Sequence, residues 1–456
     1  MSNELIVTNQ LEEHIHVVVS YNEDWLFADL FANVTSMAFS VYGAVNTINE
    51  MWSVLKIANM ARVPVGPVNK VKQFFQQNSF MVQPGGTMVV SSFNKTNPLN
   101  WVSPSGLAGI LGGSTMSILF ADRELKRVVK INCETDSRWI ATEKGIKRGS
   151  KDDPRKPADK GLAYWNGGSS FAGDKLRSNA SLSFICAMNK NILLYRDGNN
   201  ENHGNGLLHA VYEDGKFTYK GYLRHDIGNG PGAVGHNDSV IVFNQEANGA
   251  QMEMTGYTWS AEEDKLVKQE HAWMGHDIKW RPSAAYMNDI TCVMSNHYPG
   301  DALMCDALQH TRKTKNTNAS TDQEPAVIAF NGKFRVFFVA KGGIELCCAE
   351  STDGINWSNL VNTQLKTSKG VALCEYKGKL VVLYRDAKGN GVFYAYSKDG
   401  RSFTKPETEY FGLDIDSAPA CIVDDESIIV IGRQAATGKM PLTNDLMWAS
   451  LKPQEI

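Results

Sequence analysis

The sequence predicts a mainly β protein, with a C-terminal β-propeller of about six blades preceded by an α+β N-terminal domain that combines a helix with a β-sandwich. Three observations support this. Short strand–turn–strand units repeat through residues 161–456, whereas residues 1–142 contain a long stretch with helical spacing, and a charge-dense stretch at 143–160 separates the two. We therefore predict two domains joined by a linker at 143–160.

The N-terminal domain is predicted to begin with a strand at 14–20, followed by a helix over 24–60. Apolar residues there follow i, i+3/i+4 spacing, and the opposite face carries polar but uncharged side chains such as Asn33, Ser36 and Ser40. Two interpretations stay open. The segment is either a core helix packed on a sheet or a helix that can leave the fold and lie in a bilayer interface or line a pore.

A resemblance to a known family covers residues 62–123. A Pro-Gly turn at 84–85 leads into an apolar strand, a Pro/Ser/Gly-rich loop follows at 97–109, and a strand ends in Ile118-Leu119-Phe120. This succession resembles the membrane-attacking face of the actinoporin-like cytolysins, a family that shares its β-sandwich with certain fungal fruit-body lectins. The resemblance implies that an N-terminal helix inserts into the membrane. It also implies sphingolipid or glycan recognition by loop residues Trp101, Ser103, Pro104 and Ser105.

The stretch at 143–160 has the composition of a linker. It contains seven Lys/Arg, four Asp/Glu and two prolines. Because acidic and basic residues alternate, a solvated linker is favoured over a lipid- or RNA-binding patch.

The repeats define the C-terminal domain. Their first strands begin near residues 183, 231, 282, 325, 371 and 419. Each copy has an apolar strand, a short polar turn, a second apolar strand and a Gly-rich turn into a third strand. Regular short strands on a period of roughly 40–50 residues are typical of propeller blades.

Two copies end in a short hairpin motif. Ser351–Trp357 and Ser397–Phe403 have the form S-x-D-G-x-x-W/F, and 213–217 is a degenerate third copy. These resemble the Asp-box of sialidases and related propellers. Asp accepts backbone N–H bonds, Gly takes the positive φ and the aromatic ring fills the space between sheets, so the motif is predicted to be structural.

Polar residues next to the predicted inner strands are the candidate ligand-binding residues. Tyr-Arg-Asp occurs twice after second strands, and arginine suits the hydroxyl or carboxylate groups of a sugar, whereas an aromatic ring stacks on its apolar face. The predicted ligand-binding residues are Arg196, Asp197, Arg281, Glu324, Tyr384, Arg385, Asp386 and Arg433. An inter-blade salt bridge repeated by duplication is the structural alternative.

A catalytic alternative uses two carboxylates. Glu324 and Asp416 are candidates for the acid pair of a glycosidase, with Arg196, Arg385 and Arg433 as a carboxylate-binding triad like that of sialidases. The sequence contains no G-x-S-x-G, G-x-x-x-x-G-K-[ST] or H-E-x-x-H motif. Binding is therefore favoured over catalysis, and no metal or cofactor is predicted.

Composition limits the function classes. The net charge is −3, which argues against a nucleic-acid partner. The eight cysteines are scattered without metal spacing and indicate a reducing compartment. The N-terminus has no apolar signal segment, so the protein is expected in the cytoplasm or released by a non-classical route. Whether the chain forms a homo-oligomer is left open.

The function favoured by the sequence is a defence toxin or lectin. Under this hypothesis the propeller binds glycans or glycolipids, and the N-terminal module contacts membrane lipid and forms pores. The rival is a glycoside hydrolase of sialidase-like or five-bladed type with an accessory N-terminal domain. A propeller scaffold that binds a protein is a third option.

Overall fold

A computed structural model describes residues 3–20, 79–93 and 115–451, apart from short gaps at 126, 135–136, 151, 165–168, 173–175, 199–204, 214, 225, 237, 310, 386, 405–409, 426 and 436–443. These residues form 33 strands and their connections. Within these ranges there is no helix long and apolar enough to cross a membrane. The helix predicted over 24–60 and the loop with Trp101, Ser103, Pro104 and Ser105 lie outside the described residues.

Two sheets form an N-terminal β-sandwich. The five-stranded sheet has, in spatial order, β4 (Thr87–Phe93), β1 (Asn3–Asn9), β7 (Ser137–Thr142), β8 (Gly145–Gly149) and β9 (Pro157–Tyr164). The four-stranded sheet has β3 (Phe80–Val82), β2 (Ile15–Ser20), β5 (Thr115–Asp122) and β6 (Val128–Glu134). The predicted strand at 14–20 is thus observed as β2, and its pairing with β5 is antiparallel.

The four-stranded sheet is covered on both faces, because successive side chains of a strand point to opposite sides. On one face, Val17 and Phe120 pack with Leu5 and Trp139 of the five-stranded sheet. On the other face, the neighbouring residues Val18 and Leu119 pack against propeller residues. The described part of the N-terminal region is therefore built from strands and is joined to the propeller by an apolar layer.

The residues predicted as a linker at 143–160 contain β8 and β9 of the five-stranded sheet, which corrects that part of the sequence interpretation. Gly145, Ile146 and Gly149 are buried, while the charged residues concentrate in the turns at 143–144 and 152–156. Two charged turns around short strands have the same composition as a linker. The chain leaves the sandwich after Tyr164.

Six four-stranded antiparallel sheets follow, and they are numbered here as blades 1–6 from the inner strand outward. Blades 1–3 are β11 (Ser183–Ala187), β12 (Lys190–Arg196), β13 (Leu207–Glu213) and β14 (Lys216–Arg224); β15 (Gly232–His236), β16 (Ser239–Gln245), β17 (Gln251–Ser260) and β18 (Lys265–Asp277); and β19 (Ser283–Met287), β20 (Ile290–Asn296), β21 (Ala302–Leu308) and β22 (Lys313–Ser320). Blades 4–6 are β23 (Ala326–Phe330), β24 (Lys333–Val339), β25 (Glu345–Ser351) and β26 (Ser358–Lys366); β27 (Ala372–Tyr376), β28 (Lys379–Arg385), β29 (Gly391–Ser397) and β30 (Tyr410–Asp414); and β31 (Ala420–Asp424), β32 (Ser427–Arg433), β33 (Leu446–Leu451) and β10 (Ser169–Phe171).

The blades form a closed ring. Neighbouring inner strands contact one another from β11 round to β31, and β31 contacts β11. Blade 6 takes its outer strand, β10, from the start of the propeller and its other three from the end, so pairing of β10 with β33 joins the two ends of the ring. Each inner strand begins at or one residue after the start predicted from the repeat.

The Asp-box hairpins connect neighbouring blades. Asp399 Oδ1 accepts hydrogen bonds from the backbone N–H groups of Arg401 (2.8 Å) and Ser402 (2.9 Å). Phe403 lies edge-on to Phe337 of blade 4, with ring centroids 5.7 Å apart. In the degenerate copy, Phe217 packs on Trp448 of blade 6. The motif has the structural role predicted for it.

Candidate functional site

One face of the propeller collects the residues that precede the inner strands and those that end the second strands. The strands of a blade alternate in direction, so these two positions lie at the same end. In blade 1, for example, Gly198 N donates to Arg177 O (3.0 Å), which joins the two positions directly. We call this end the polar face. The Asp-box turns link third and fourth strands and lie at the opposite end.

At the centre of the polar face, one residue per blade stands two positions before the inner strand. In order of blades these residues are Ser181, Gly230, Arg281, Glu324, Gly370 and Ala418. Ser181 Oγ donates to Glu324 Oε1 at 2.5 Å, and Arg281 Nε donates to Glu324 Oε2 at 3.3 Å. Blades 1 and 4 are opposite each other in a ring of six, so the Ser181–Glu324 bond crosses the propeller axis. We call Ser181, Arg281 and Glu324 the axial cluster.

Two glycines leave room for the axial cluster. A Cβ at Gly230 would lie 2.2 Å from Ser181 O, and a Cβ at Gly370 would lie 2.9 Å from Glu324 Cβ. No side chain fits at either position without displacing these groups. Ser181, Arg281 and Glu324 can meet on the axis because Gly230 and Gly370, which stand between or beside them in the ring, have no side chain.

A cavity of about 330 Å³ follows the axis and is lined by residues of all six inner strands. Its walls are mostly small and aliphatic, as at Ala233, Ile328 and Leu373, and among the residues that the structure describes Arg281 is the one charged lining residue. Arg281 is thus the residue that the cavity shares with the axial cluster.

Asp416, the other carboxylate predicted for catalysis, lies in blade 6. Its Oδ1 accepts a hydrogen bond from Arg433 Nε at 2.6 Å. Both side chains are only partly exposed. Each of the two candidate acids, Glu324 and Asp416, thus has an arginine partner, and the predicted residues Arg281 and Arg433 are those partners.

The two Tyr-Arg-Asp copies lie in different surroundings. Arg385 donates from Nε to Gly389 O (3.0 Å) and from Nη2 to Asn390 Oδ1 (2.5 Å), so it holds its own loop. Tyr384 is buried and stacks on Phe393 with ring centroids 6.2 Å apart. Arg385 therefore stabilises the loop at 389–390, and Tyr384 packs inside the blade.

In the blade 1 copy, the arginine is bonded differently. Arg196 Nε is buried without a hydrogen-bond partner among the described residues, and burial lowers the pKa of its guanidinium. Asp197 is buried, and its backbone bridges to Ser178. Asp386, the last residue of the second copy, lies outside the described residues. Of the two Tyr-Arg-Asp arginines, Arg385 thus has both named bonds within its own loop, whereas Arg196 has a buried Nε that no described residue binds.

Sequence reasoning did not single out a group of polar and aromatic side chains that lies between blades 1 and 2. Glu253 is fully buried there. It accepts hydrogen bonds from both terminal nitrogens of Arg224, with 2.7 Å between Nη2 and Oε1. His271 and Trp273 follow on the outer strand of blade 2, with their rings edge-on at 5.3 Å. We call Arg224, Glu253, His271 and Trp273 the interblade cleft. The signal available in the sequence was an aromatic pair at i, i+2, His271 and Trp273, directly after three polar residues at 268–270 of the strand.

No described protein family matches the sequence, and no curated protein matches it. Several solved structures are similar to part of the chain. The α-L-arabinanase of Penicillium chrysogenum is 10% identical, with 63% of this chain and 97% of that chain covered and a TM-score of 0.46. The fucose-specific lectin of Aleuria aurantia is 13% identical, with 64% and 90% covered and a TM-score of 0.37.

An exo-β-1,3-galactanase from Phanerochaete chrysosporium is 7% identical, with 47% of this chain covered and a TM-score of 0.35. The chain spans 60% of the length of that enzyme. At these identities and TM-scores the likeness carries no conclusion about the activity of this chain.

Proposed function

We propose that the propeller is a carbohydrate-binding module whose ligand occupies the axial cluster. The observation that carries the proposal is the environment of Glu324, whose carboxylate accepts one hydroxyl, from Ser181, and one guanidinium N–H, from Arg281. A sugar hydroxyl has the same donor chemistry as the Ser181 side chain and can replace it on Glu324. Charged acceptors of this kind form the stronger hydrogen bonds to neutral donors.

Unused donors next to the cluster support the same ligand class. Asn229 Nδ2 and Trp280 Nε1 are buried and have no hydrogen-bond partner among the described residues. In the sequence they directly precede Gly230 and Arg281, two of the six residues that stand two positions before the inner strands. Buried donors are normally satisfied, and the hydroxyl oxygens of a carbohydrate would supply acceptors for them.

The alternative is a glycosidase that uses Glu324 and Asp416. That chemistry requires one carboxyl group to give or take a proton while the other acts as base or nucleophile, with both facing the bond to be broken. Here both oxygens of Glu324 accept hydrogen bonds, from Ser181 and Arg281, and Oδ1 of Asp416 accepts one from Arg433. This arrangement favours a binding role.

The test combines a glycan array with a panel of chromogenic glycosides. Glu324→Gln keeps the shape but removes the charge, so it should weaken glycan binding at least tenfold while circular dichroism stays unchanged. Glu375→Gln, at an exposed carboxylate on β27, is the matched control and should bind normally. Glycoside turnover that disappears in Glu324→Gln or Asp416→Asn would establish the enzyme instead.

The membrane-active role suggested by residues 24–60 and by the loop with Trp101 is a separate proposal. It falls outside the described residues, and the sugar-binding proposal does not depend on it. Its support is the resemblance in sequence alone.

A further inference from the structure

We infer that the interblade cleft between blades 1 and 2 is a second carbohydrate site, one that takes a neutral pyranose. The inference shares its ligand class with the proposed function but rests on different residues. It stands on three features of the cleft: a fixed cationic donor, an exposed aromatic wall and a balanced charge.

The floor of the cleft is rigid. Glu253 has no exposed surface, and Arg224 holds its two oxygens with two parallel N–H bonds. Asn244 Nδ2 also donates to Glu253 Oε2 at 3.0 Å. Bidentate pairs fix the plane of the guanidinium, and breaking a buried pair is costly, so this donor is already oriented before a ligand arrives.

Arg224 has donors left over. A guanidinium carries five N–H groups, and the pair with Glu253 uses two of them. The other three have no partner among the described residues, while 24% of the side chain is exposed. These N–H groups can donate to the hydroxyl oxygens of a ligand that enters the cleft.

Trp273 supplies the apolar wall. Its indole is 46% exposed, although it lies beside the buried Glu253 on paired strands. His271 packs edge-on to the indole, and His271 Nε2 lies 3.7 Å from Glu253 Oε1, so the two aromatic side chains connect the wall to the floor. The C–H face of a pyranose packs on such a ring while its hydroxyls reach polar groups at the edge.

The charge of the cleft selects a neutral ligand. Arg224 and Glu253 neutralise each other, so an anionic sugar would gain no net attraction and would meet the Glu253 carboxylate behind the guanidinium. A neutral pyranose satisfies the three donors without adding charge. We therefore expect methyl hexopyranosides to bind here in preference to a methyl glucuronide.

The experiment uses the full chain labelled with 5-fluorotryptophan and observed by ¹⁹F NMR. Trp273→Phe assigns the Trp273 signal, and Trp259→Phe assigns a control signal from a tryptophan of the same blade that contacts Lys190. Methyl galactopyranoside and methyl mannopyranoside are the probes. At least one should shift the Trp273 signal at saturation and leave the Trp259 signal in place.

Affinity then tests the roles. Trp273→Ala should weaken the hexoside at least tenfold, and Arg224→Lys, which keeps the charge for Glu253 but loses the planar fork, should weaken it several-fold with an unchanged circular dichroism spectrum. Glu324→Gln should leave the Trp273 shift intact, which separates this site from the axial cluster. The inference is overturned if no hexoside shifts the Trp273 signal, if Trp273→Ala binds normally, or if only the glucuronide binds.

Discussion

His209 shows how one buried side chain ties two blades together. It has no exposed surface, and each ring nitrogen has a backbone partner: Nδ1 lies 3.0 Å from Gly221 O in blade 1, and Leu266 N of blade 2 donates to Nε2 at 3.2 Å. These partners assign a neutral ring with its proton on Nδ1. Protonation at Nε2 would place two N–H groups against each other and break the link to blade 2.

The buried ring of His209 makes the stability of the protein depend on pH. Burial, opposed by the hydrogen bond to Gly221, lowers the pKa of His209 to about 4 from 6.5. Because the unfolded chain binds the proton more readily, this contribution to stability is complete above about pH 6.5 and is lost as the pH falls towards 4. The shift corresponds to roughly 3 kcal/mol at its full extent.

Chemical unfolding at several pH values between 4 and 7 measures how the free energy of unfolding depends on His209. The wild-type chain should lose more stability over this range than His209→Gln, which cannot titrate, and the difference between the two curves isolates His209 from the other histidines. Parallel curves would show that His209 is protonated in the folded state and would contradict the assigned ring form.

The sequence located only part of the candidate site at this scale. Arg281 and Glu324 were identifiable because each stands before a predicted inner strand. Their partner Ser181 was not, because a serine before a strand is unremarkable until the ring places blade 1 opposite blade 4. Likewise, Arg224 and Glu253 belong to different blades, and nothing in the local sequence reveals that the two outer regions face each other.

At the scale of the element, the Asp-box hairpin is stabilised twice. Within the hairpin, backbone hydrogen bonds, first from Ser402 and then from Arg401, hold the pKa of Asp399 well below its usual range. Between blades, Gly400 has φ +73°, and a Cβ there would lie 2.4 Å from Arg335 Nε of blade 4. The glycine therefore serves both the turn and the contact.

A pair of glycine substitutions separates these two effects. Gly378 has φ +70° with nothing near its absent Cβ, so Gly378→Ala should cost only the backbone strain, roughly 1–2 kcal/mol. Gly400→Ala should lose about 1–3 kcal/mol more, because it also crowds Arg335. Equal losses in denaturant unfolding would mean that the hairpin yields freely and does not hold blade 4.

The blades were predictable for a reason that the sandwich does not share. Each blade pairs strands that are consecutive in the chain, so the repeat can be recognised from the local sequence pattern of strands and turns. In the sandwich, β1 pairs with β4 and, in parallel, with β7, and these contacts bring together distant residues. The short strands β8 and β9 lie between charged turns and show no repeating sequence pattern. Their segment was therefore interpreted as a linker.

For the whole molecule, the decisive feature is the apolar layer between sandwich and propeller. Val18, Leu119 and Val128 of the four-stranded sheet belong to one buried cluster with Leu182 and Trp448 of the propeller. Outside this layer, Arg148 Nη2 lies 3.1 Å from Asp414 Oδ2. Burying each large apolar side chain is worth roughly 1.5–3 kcal/mol, so a few of them amount to much of the 5–15 kcal/mol that stabilises a typical domain.

The last prediction follows from this layer and concerns limited proteolysis. The turn at 152–156 is the exposed target, and trypsin can cleave it after the exposed Arg155, since Lys156 is followed by Pro157 and its bond resists trypsin. The neighbours of this turn are held by the bond from Thr8 Oγ1 to Pro154 O. Trypsin should cut there and leave a C-terminal fragment of about 300 residues on a denaturing gel. The nicked chain should nevertheless elute as one species at the volume of the intact protein, because β8 pairs with β9 across the cut and the apolar layer is intact. Two separate peaks, with a C-terminal fragment that unfolds at the midpoint of the intact chain, would show that the propeller does not need the sandwich. A single peak that separates only in denaturant would show that the two parts are stable as one unit.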